Sequence, residues 1–318
     1  MAAADLTEFV VASARAWSPT FFDNVTTNNA MLNRLMKKGR IVTVDGGRTI
    51  DEALIYPTNP NQSYKWYTGY DSFTPPTTSE VLDAAEYQWK QLAGFISISG
   101  IEKIYNSGEA KRYDYVEARM AQLQALMKNA VATSIFSDGT ASGGKELGGL
   151  KLLIADDPTT STTVGGINQS TFSFWRNKTT GDVTTSATTI QGIMNGLYLD
   201  TTRGSDIVDL ILFDKNFYSF FWGSLQPLQR FTDPEMAELG FQTVKFAGAD
   251  VVYDANCVTS HGYFVNSDTI KLKCAPNRRF NIGDTRVIQN ADYEVIPCLF
   301  AGNFTCNARF LNGVMFDT

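Results

Sequence analysis

The clearest pattern in the sequence is a helical one between residues 111 and 136. Apolar side chains recur there at alternating spacings of three and four residues, which places them on one face of a helix. They are Tyr113, Val116, Met120, Leu123, Met127 and Ala130, and Ser134 continues the spacing. At about 1.5 Å per residue this helix is roughly 40 Å long. The pattern predicts a long helix around which a domain is built. A long core helix in any other α+β protein would show the same pattern.

Extended segments precede the long helix. Alternating and β-branched residues predict strands over 41–44, 49–56 and 87–99, and Asp45-Gly46-Gly47 predicts a turn. Prolines interrupt the chain between the last two segments. These features predict a long β-ribbon, which has too few strands to be stable by itself in water.

The first 40 residues contain two short helical patterns that are separated by Pro19. The second pattern covers residues 31–36 and ends at Gly39. Both patterns are too short to hold a core, so we predict an N-terminal arm over residues 1–40.

Helical and extended patterns alternate after the long helix. Residues 159–189 hold eleven threonines and three charged residues, which predicts a hairpin or a mobile loop. A helix is predicted over 190–198, a buried strand over 207–213, and a second helix from an Asp214 cap to about Leu225. The remainder has the alternation of strands, and this mixed order predicts an α+β fold.

The composition argues against several classes of function. The 318 residues carry a net charge of −6, which argues against a protein whose main task is to bind nucleic acid. We find no run of 18 apolar residues and no secretion signal, so no membrane span is expected. Charged residues make up only 19% and aromatic residues 12%, which indicates surface that a partner covers. The four cysteines are scattered, which favours free buried thiols over two disulfides.

Aromatic residues are concentrated in the predicted ribbon. A ribbon offers no core for so many rings, so they need another surface to lie on. Two interpretations are open, because that surface belongs either to the same domain or to another molecule. The residues are Tyr56, Tyr64, Trp66, Tyr67, Tyr70 and Phe73.

The sequence contains only weak candidates for a catalytic or nucleotide-binding site. Residues 139–145 match the G-x-x-x-x-G-K pattern of a phosphate-binding loop, but Glu146 replaces the expected Ser or Thr and a helix precedes the loop. His261 is the only histidine and lies in a predicted turn without a nucleophile motif, so we interpret it as a surface residue. We therefore predict no catalytic residue, no cofactor and no metal site.

Several short stretches stand in a set order around the predicted ribbon, the long helix and the β-rich end: Trp66-Tyr67-Thr68-Gly69-Tyr70-Asp71, Ile98-Ser99-Gly100-Ile101-Glu102, Asp138-Gly139-Thr140, Leu147-Gly148-Gly149-Leu150, residues 240–254, and Phe310-Leu311-Asn312-Gly313-Val314. These stretches and the order of the elements resemble the major capsid proteins of tailed bacteriophages. Those proteins have the Hong Kong phage-type shell fold, which herpesvirus shells share.

The resemblance implies an α+β capsid fold with four parts. These are an N-terminal arm over 1–40, an extended β-hairpin loop over 41–100, and a peripheral domain over 101–150 and 251–318 that contains a long spine helix and a β-sheet. The fourth part is an axial α/β domain over 151–250.

The resemblance also implies a function and partners. The chain is expected to self-assemble, as hexamers and pentamers, into the icosahedral shell around the double-stranded DNA of a tailed phage, in the host cytoplasm. Other expected partners are a separate scaffolding protein, a portal, the packaged DNA, and an optional decoration protein. The alternative is a β-rich tail or fibre protein, or another self-assembling structural protein. Inter-subunit contacts are expected at Trp17, Phe21, Phe22, Tyr56, Tyr64, Lys65, Trp66, Tyr67, Tyr70 and Phe73.

Overall fold

The structure is a computed structural model that describes residues 29–55, 66–72, 82–105, 109–225 and 244–317. Its helices are α1 (Ala30–Lys37), α2 (Gly100–Tyr105), α3 (Glu109–Ser134), α4 (Ala141–Gly144), α5 (Leu150–Leu153), α6 (Ile190–Thr201) and α7 (Lys215–Ser224). Two short 3-10 helices cover Ser173–Trp175 and Arg309–Leu311.

The strands form two large sheets and two hairpins. They are β1 (Ile41–Thr43), β2 (Thr49–Ile55), β3 (Leu82–Gln88), β4 (Lys90–Ser99), β5 (Thr163–Val164), β6 (Ile167–Asn168), β7 (Lys178–Thr180), β8 (Leu210–Phe213), β9 (Val244–Phe246), β10 (Ala249–Tyr253), β11 (His261–Val265), β12 (Ile270–Ile282), β13 (Arg286–Val287), β14 (Tyr293–Cys306) and β15 (Gly313–Phe316).

The first sheet is built around β14. This strand pairs antiparallel with β12 and β13 on one side and with β4 on the other, and β1 adds to β12 in parallel. The pairing with β4 runs without a break from Tyr293↔Ser99 to Gly302↔Lys90. The two longest strands therefore lie in the middle of the sheet, and β4 forms one of its edges.

The long helix α3 packs against this sheet, and its prediction from the sequence is confirmed. Its predicted apolar face is buried at Met120, Leu123 and Met127. Gly94 of β4 lies beneath it, since an added Cβ there would stand only 2.5 Å from Cδ1 of Leu123. The helix can therefore approach the sheet closely because this strand position has no side chain.

The second sheet has the strand order β7-β15-β11-β8-β10-β9 and carries α6 and α7. Its core is rich in phenylalanine, with Phe213 in contact with Phe217, Phe221 and Phe264 at ring-centroid distances of 6.1–6.3 Å. The Asp214 carboxylate accepts a hydrogen bond from the backbone N of Phe217 at 2.9 Å, as the predicted helix cap requires. Two mixed sheets with separate helices confirm the predicted α+β class.

Helix α1 differs from the expectation of an arm that lacks a core. Its side chains Met31, Leu32 and Leu35 are buried in the main core of the chain. Asn29 caps the helix, and its Nδ2 donates to Asp254 Oδ2 at 3.1 Å. The short helix is stable because it packs into a core that is formed by strands distant in sequence.

The predicted strand over 87–99 is two strands that pair with different partners. The ribbon, β2 with β3, is antiparallel from Thr49↔Gln88 to Ile55↔Leu82. The chain changes partner at Trp89, whose indole Nε1 donates to the carbonyl of Gly47 at 3.0 Å. A continuous alternation in sequence cannot reveal this exchange, because both strands have a period of two.

Residues 159–189 contain the β5–β6 hairpin, a 3-10 helix and β7. The fully buried guanidinium of Arg309 holds this region. Its nitrogens donate to the carbonyls of Leu153 and Trp175 and to the side-chain oxygens of Gln169 and Asn177, at 2.6–3.1 Å. Burial lowers the pKa of Arg309 to about 10, so the group is still charged at neutral pH.

All four cysteines are free and buried, as predicted: Cys257, Cys274, Cys298 and Cys306. Burial raises the pKa of each thiol. These thiols are therefore inert core residues rather than nucleophiles.

Candidate interaction surface

The ribbon has a fixed base. Ile50, Leu54, Ala85 and Tyr87 face inward from its two strands and are at most 4% exposed. The alternate positions of both strands point to solvent, as a period of two requires. The base of the ribbon is therefore part of the main core, in contrast to a free hairpin.

Tyr87 attaches the ribbon to the central strand. Its hydroxyl donates to the carbonyl of Cys306 at 3.1 Å and accepts from the backbone N of the same residue at 3.3 Å. Burial raises the pKa of Tyr87 far above its ordinary value, so the hydroxyl keeps its proton.

A buried carboxylate makes the second attachment. Glu52 of β2 lies 3.1 Å from Nζ of Lys271 and 3.0 Å from Nζ of Lys273, and it accepts from the hydroxyl of Thr305 at 2.9 Å. Burial alone raises the pKa of Glu52, but the two ammonium groups and the hydroxyl outweigh it and hold the pKa below its usual value. Glu52 is therefore ionised at neutral pH and pairs with both lysines.

Residues 66–72, which we call the aromatic segment, lie between the two ribbon strands in sequence. Asp71 closes a turn there, because its backbone N donates to Thr68 O and its Oδ2 accepts from Thr68 N. Trp66, Tyr67 and Tyr70 are 95%, 66% and 105% exposed. Three large rings on one short turn form the kind of surface that another molecule covers.

The other predicted contact residues lie outside the described residues: Trp17, Phe21, Phe22, Tyr56, Tyr64, Lys65 and Phe73. The structure contains a single chain, so contact with a neighbouring copy stays a prediction for all ten positions. For the three described residues, the structure places their rings in solvent rather than in the core of their own subunit.

Sequence reasoning missed the exposed ring of Phe95 on the edge strand β4, which is one of several further exposed apolar side chains. This ring is 62% exposed, whereas Ile96 and Ile98 are buried beneath α3. The alternation along β4 contains the signal, because a residue out of phase with two buried isoleucines must face outward. The cross-strand neighbour on the same face is Pro297 of β14.

The glycine-rich segment over residues 139–145 does not have the geometry of a phosphate-binding loop. The glycine-rich segment follows α3, and Ser142 and Gly143 both adopt left-handed backbone conformations. Glu146 accepts from the hydroxyl of Ser137 at 2.7 Å. A phosphate-binding loop runs from a strand into a helix, and this segment does not. In the part of the chain that the structure describes, no group of three side chains could hold a metal ion.

The interpretation of His261 as a surface-turn residue is wrong. It is the first residue of β11, and its side chain is only 13% exposed. Its ring stacks on Tyr263 and Phe316 and faces the carboxylate of Asp156. The partner lies more than a hundred positions away in the sequence, so the local turn pattern could not reveal the burial.

The fold matches those of protein shells. The chain is similar to a subunit of the cyanophage A-1(L) capsid, with a TM-score of 0.67, 15% identity, and coverage of 88% of this chain and 90% of that one. The chain has the phage capsid fold. The capsid of Myoviridae phage XM1 gives a TM-score of 0.52 at 10% identity, covering 89% and 92% of the two chains. The holo-SrpI encapsulin complex from Synechococcus elongatus PCC 7942 gives 0.56 at 7%, covering 88% and 86%.

No family model and no curated protein matches the sequence, so the structural matches carry the assignment of the capsid fold that the resemblance implied. Within this fold α3 is the long helix on the sheet, and β2 with β3 is the antiparallel ribbon. Where the arm, loop and two domains begin and end stays a prediction. No helix in the described ranges has the length and hydropathy needed to cross a lipid bilayer.

Proposed function

We propose that this chain is the major capsid protein of a tailed phage and self-assembles into the icosahedral shell around the phage genome. The observation that carries the proposal is the capsid fold, which extends over 88% of the chain. The fibre alternative gains no support, because the matches named above are two phage capsids and an encapsulin complex.

The aromatic segment supports the self-assembly step. Its turn holds three exposed rings on a ribbon whose base is anchored by Glu52 and Tyr87. In a shell, each copy covers the rings of its neighbour, and burial of apolar surface contributes about 25 cal/mol per Å². Many such weak contacts, repeated by symmetry, stabilise a shell without one tight site.

The proposal includes the organisation of the chain and its partners. Residues 1–40 form an arm, 41–100 an extended loop, 101–150 with 251–318 a peripheral domain, and 151–250 an axial domain. Hexamers and pentamers of the chain assemble in the host cytoplasm with a separate scaffolding protein and a portal, and a decoration protein is an optional addition. The role is structural and involves no catalysis.

The content of the shell is a separate part of the proposal. An encapsulin also has this fold, so the fold by itself does not specify DNA as the content. The net charge of −6 fits a wall that encloses DNA without binding it tightly, since tight binding requires clustered basic residues. Nuclease-resistant DNA in particles from infected cells is expected, and particles that carry only protein would contradict this part.

The first experiment is negative-stain electron microscopy with sedimentation of the expressed full chain. We expect hexamers, pentamers or closed shells. Rods or trimers would favour a fibre protein instead, and a strictly monomeric protein at high concentration, with or without a scaffolding protein, would overturn the proposal.

The second experiment tests the aromatic segment with a double variant, Trp66→Ala with Tyr70→Ala. Because both rings are exposed, the variant should fold with unchanged stability, within about 0.5 kcal/mol, and fail to close shells. The matched control is Trp66→Phe with Tyr70→Phe, which keeps a ring at both positions and should close shells. Normal shells from the alanine variant would show that this segment is not the contact.

A further inference from the structure

The only histidine of the chain sits in a confined polar site between three elements. His261 begins β11, Phe316 ends β15, and Asp156 lies in the loop after α5. The imidazole stacks on the Phe316 ring at a centroid distance of 5.7 Å and an interplanar angle of 20°. It also stacks on Tyr263 of its own strand at 6.2 Å. The orientation of the ring is therefore fixed.

Both nitrogens of this ring face acceptors. Nδ1 lies 2.7 Å from the carbonyl oxygen of Thr259, which can only accept, so this nitrogen carries a proton. Nε2 lies 3.4 Å from Oδ2 of Asp156. In neutral imidazole with a proton on Nδ1, the lone pair of Nε2 would point at this carboxylate. Only the imidazolium ion donates to both acceptors.

One positive charge and two buried oxygens lie near the ring. The ammonium group of Lys151 on α5 repels the protonated imidazole and so lowers the pKa of His261. The backbone N of Asp317, next to Phe316, donates to Ser260 O at 3.1 Å and ties the end of β15 to the start of β11. Among the described residues, Asp156 Oδ1 and the hydroxyl of Tyr263 are buried without a hydrogen-bond partner. In this part of the chain the ion pair of Asp156 is with His261.

We propose that His261 is a proton-dependent clamp, in which the protonated ring holds the Asp156 loop against β11 and β15 and the neutral ring releases it. The clamp lies within one subunit, so it is independent of shell assembly. The loop that it holds is next to Ala155, whose backbone bonds to the buried Asn177. Release of the proton thus loosens the connection between α5 and the second sheet.

The direction of the pH dependence follows from the site. Burial alone lowers the pKa of His261, but its bonds to Asp156 and Thr259 outweigh burial and raise the pKa above the ordinary value. A group with a raised pKa in the folded state contributes stability that is full below its unfolded pKa of about 6.5. This contribution is lost as the pH rises through the folded pKa.

An NMR titration of the wild-type chain tests the clamp directly, because a single histidine gives a single imidazole signal. We expect a midpoint above the value of about 6.5 for a free histidine. We also expect amide exchange in residues 155–160, corrected for its intrinsic pH dependence, to increase across the same midpoint, with α7 as an unchanged reference. A midpoint at or below the free value, or exchange that does not follow it, would overturn the proposal.

Thermal unfolding at several pH values tests the same clamp with variants. Between about pH 6 and pH 9, the midpoint of the wild type should fall by about 2 °C more than that of His261→Gln, which keeps a neutral donor. Asp156→Asn should also remove the extra fall. The matched control is Asp157→Asn, because this neighbouring carboxylate is exposed and bonds to Thr159 instead. Parallel curves for wild type and His261→Gln would refute the clamp.

Discussion

The hydroxyl of Tyr87 makes both backbone hydrogen bonds of Cys306, one as donor and one as acceptor. Strand β4 pairs with β14 only as far as Gly302. At Cys306 the phenol of the ribbon therefore takes the place of a neighbouring strand. This relationship connects the ribbon to the centre of the first sheet rather than to its edge.

Tyr87→Phe should destabilise the subunit by about 2 kcal/mol, because it leaves a buried N–H and a buried C=O of Cys306 without partners. Urea unfolding followed by circular dichroism measures the change. Tyr70→Phe is the control, since its fully exposed hydroxyl should contribute less than about 0.5 kcal/mol. Equal effects of the two substitutions would contradict the role of the phenol.

Arg309→Met should destabilise the chain by about 3 kcal/mol or more. The substitution leaves three buried acceptors unsatisfied, on Leu153, Gln169 and Trp175. Asn177 Oδ1 loses one of its two donors and keeps the bond from the backbone N of Ala155. Limited proteolysis should then cut first within residues 159–189, which the guanidinium holds in place. Arg203→Met is the control, because that exposed side chain lies over the ring of Phe310 at the surface. Protease resistance equal to wild type would argue against this function of Arg309.

Glu52→Gln should cost about 2 kcal/mol at neutral pH, because Lys271 and Lys273 lose their shared anion. The pKa of Glu52 is lowered, so its stabilising contribution is present above about pH 4.5 and is lost as the pH falls through the folded value. The difference from wild type should therefore shrink in acid. Glu86→Gln, on the exposed face of β3, is the control and should change the stability at neutral pH by less than about 0.5 kcal/mol in the same pH series of unfolding curves.

Two glycine substitutions should have opposite signs. A Cβ at Gly149 would collide with the backbone oxygens of Ser134 and Ile135, so Gly149→Ala should destabilise by more than about 2 kcal/mol. Gly196 lies within α6 with open space around it, so Gly196→Ala should stabilise by about 0.5–1 kcal/mol. Differential scanning calorimetry measures both changes. A stable Gly149→Ala protein would show that this close approach is relaxed in solution.

The sequence predicted those elements whose structure depends on residues close together in the chain. The apolar face through Met120, Leu123 and Met127 has the period of a helix, and Asp214 precedes a helix whose first turn it caps. The order of such elements along the chain was enough for the α+β class and for the resemblance to capsid proteins. The density of aromatic residues in the predicted ribbon left two interpretations open, and it did not decide whether the rings pack on their own domain. The exposure of Trp66, Tyr67 and Tyr70 comes from the structure.

Contacts between distant positions could not be predicted. Arg309 orders a region that ends more than a hundred positions before it, and Asp156 is equally far from His261. In both cases the local sequence looks like an ordinary loop or turn, because the partner that determines its structure arrives only with the tertiary fold. The docking of α1 was missed for the same reason.

The anchorage of the ribbon has a mechanical consequence. Tension applied through residues 66–72 reaches the sheet at Cys306 and Thr305 of β14 and at two lysines of β12. Those strands are the longest that the structure describes, and many hydrogen bonds would have to break together before either could move. In the proposed shell, a pull between neighbouring copies would thus be distributed over several hydrogen-bonded strands of each molecule.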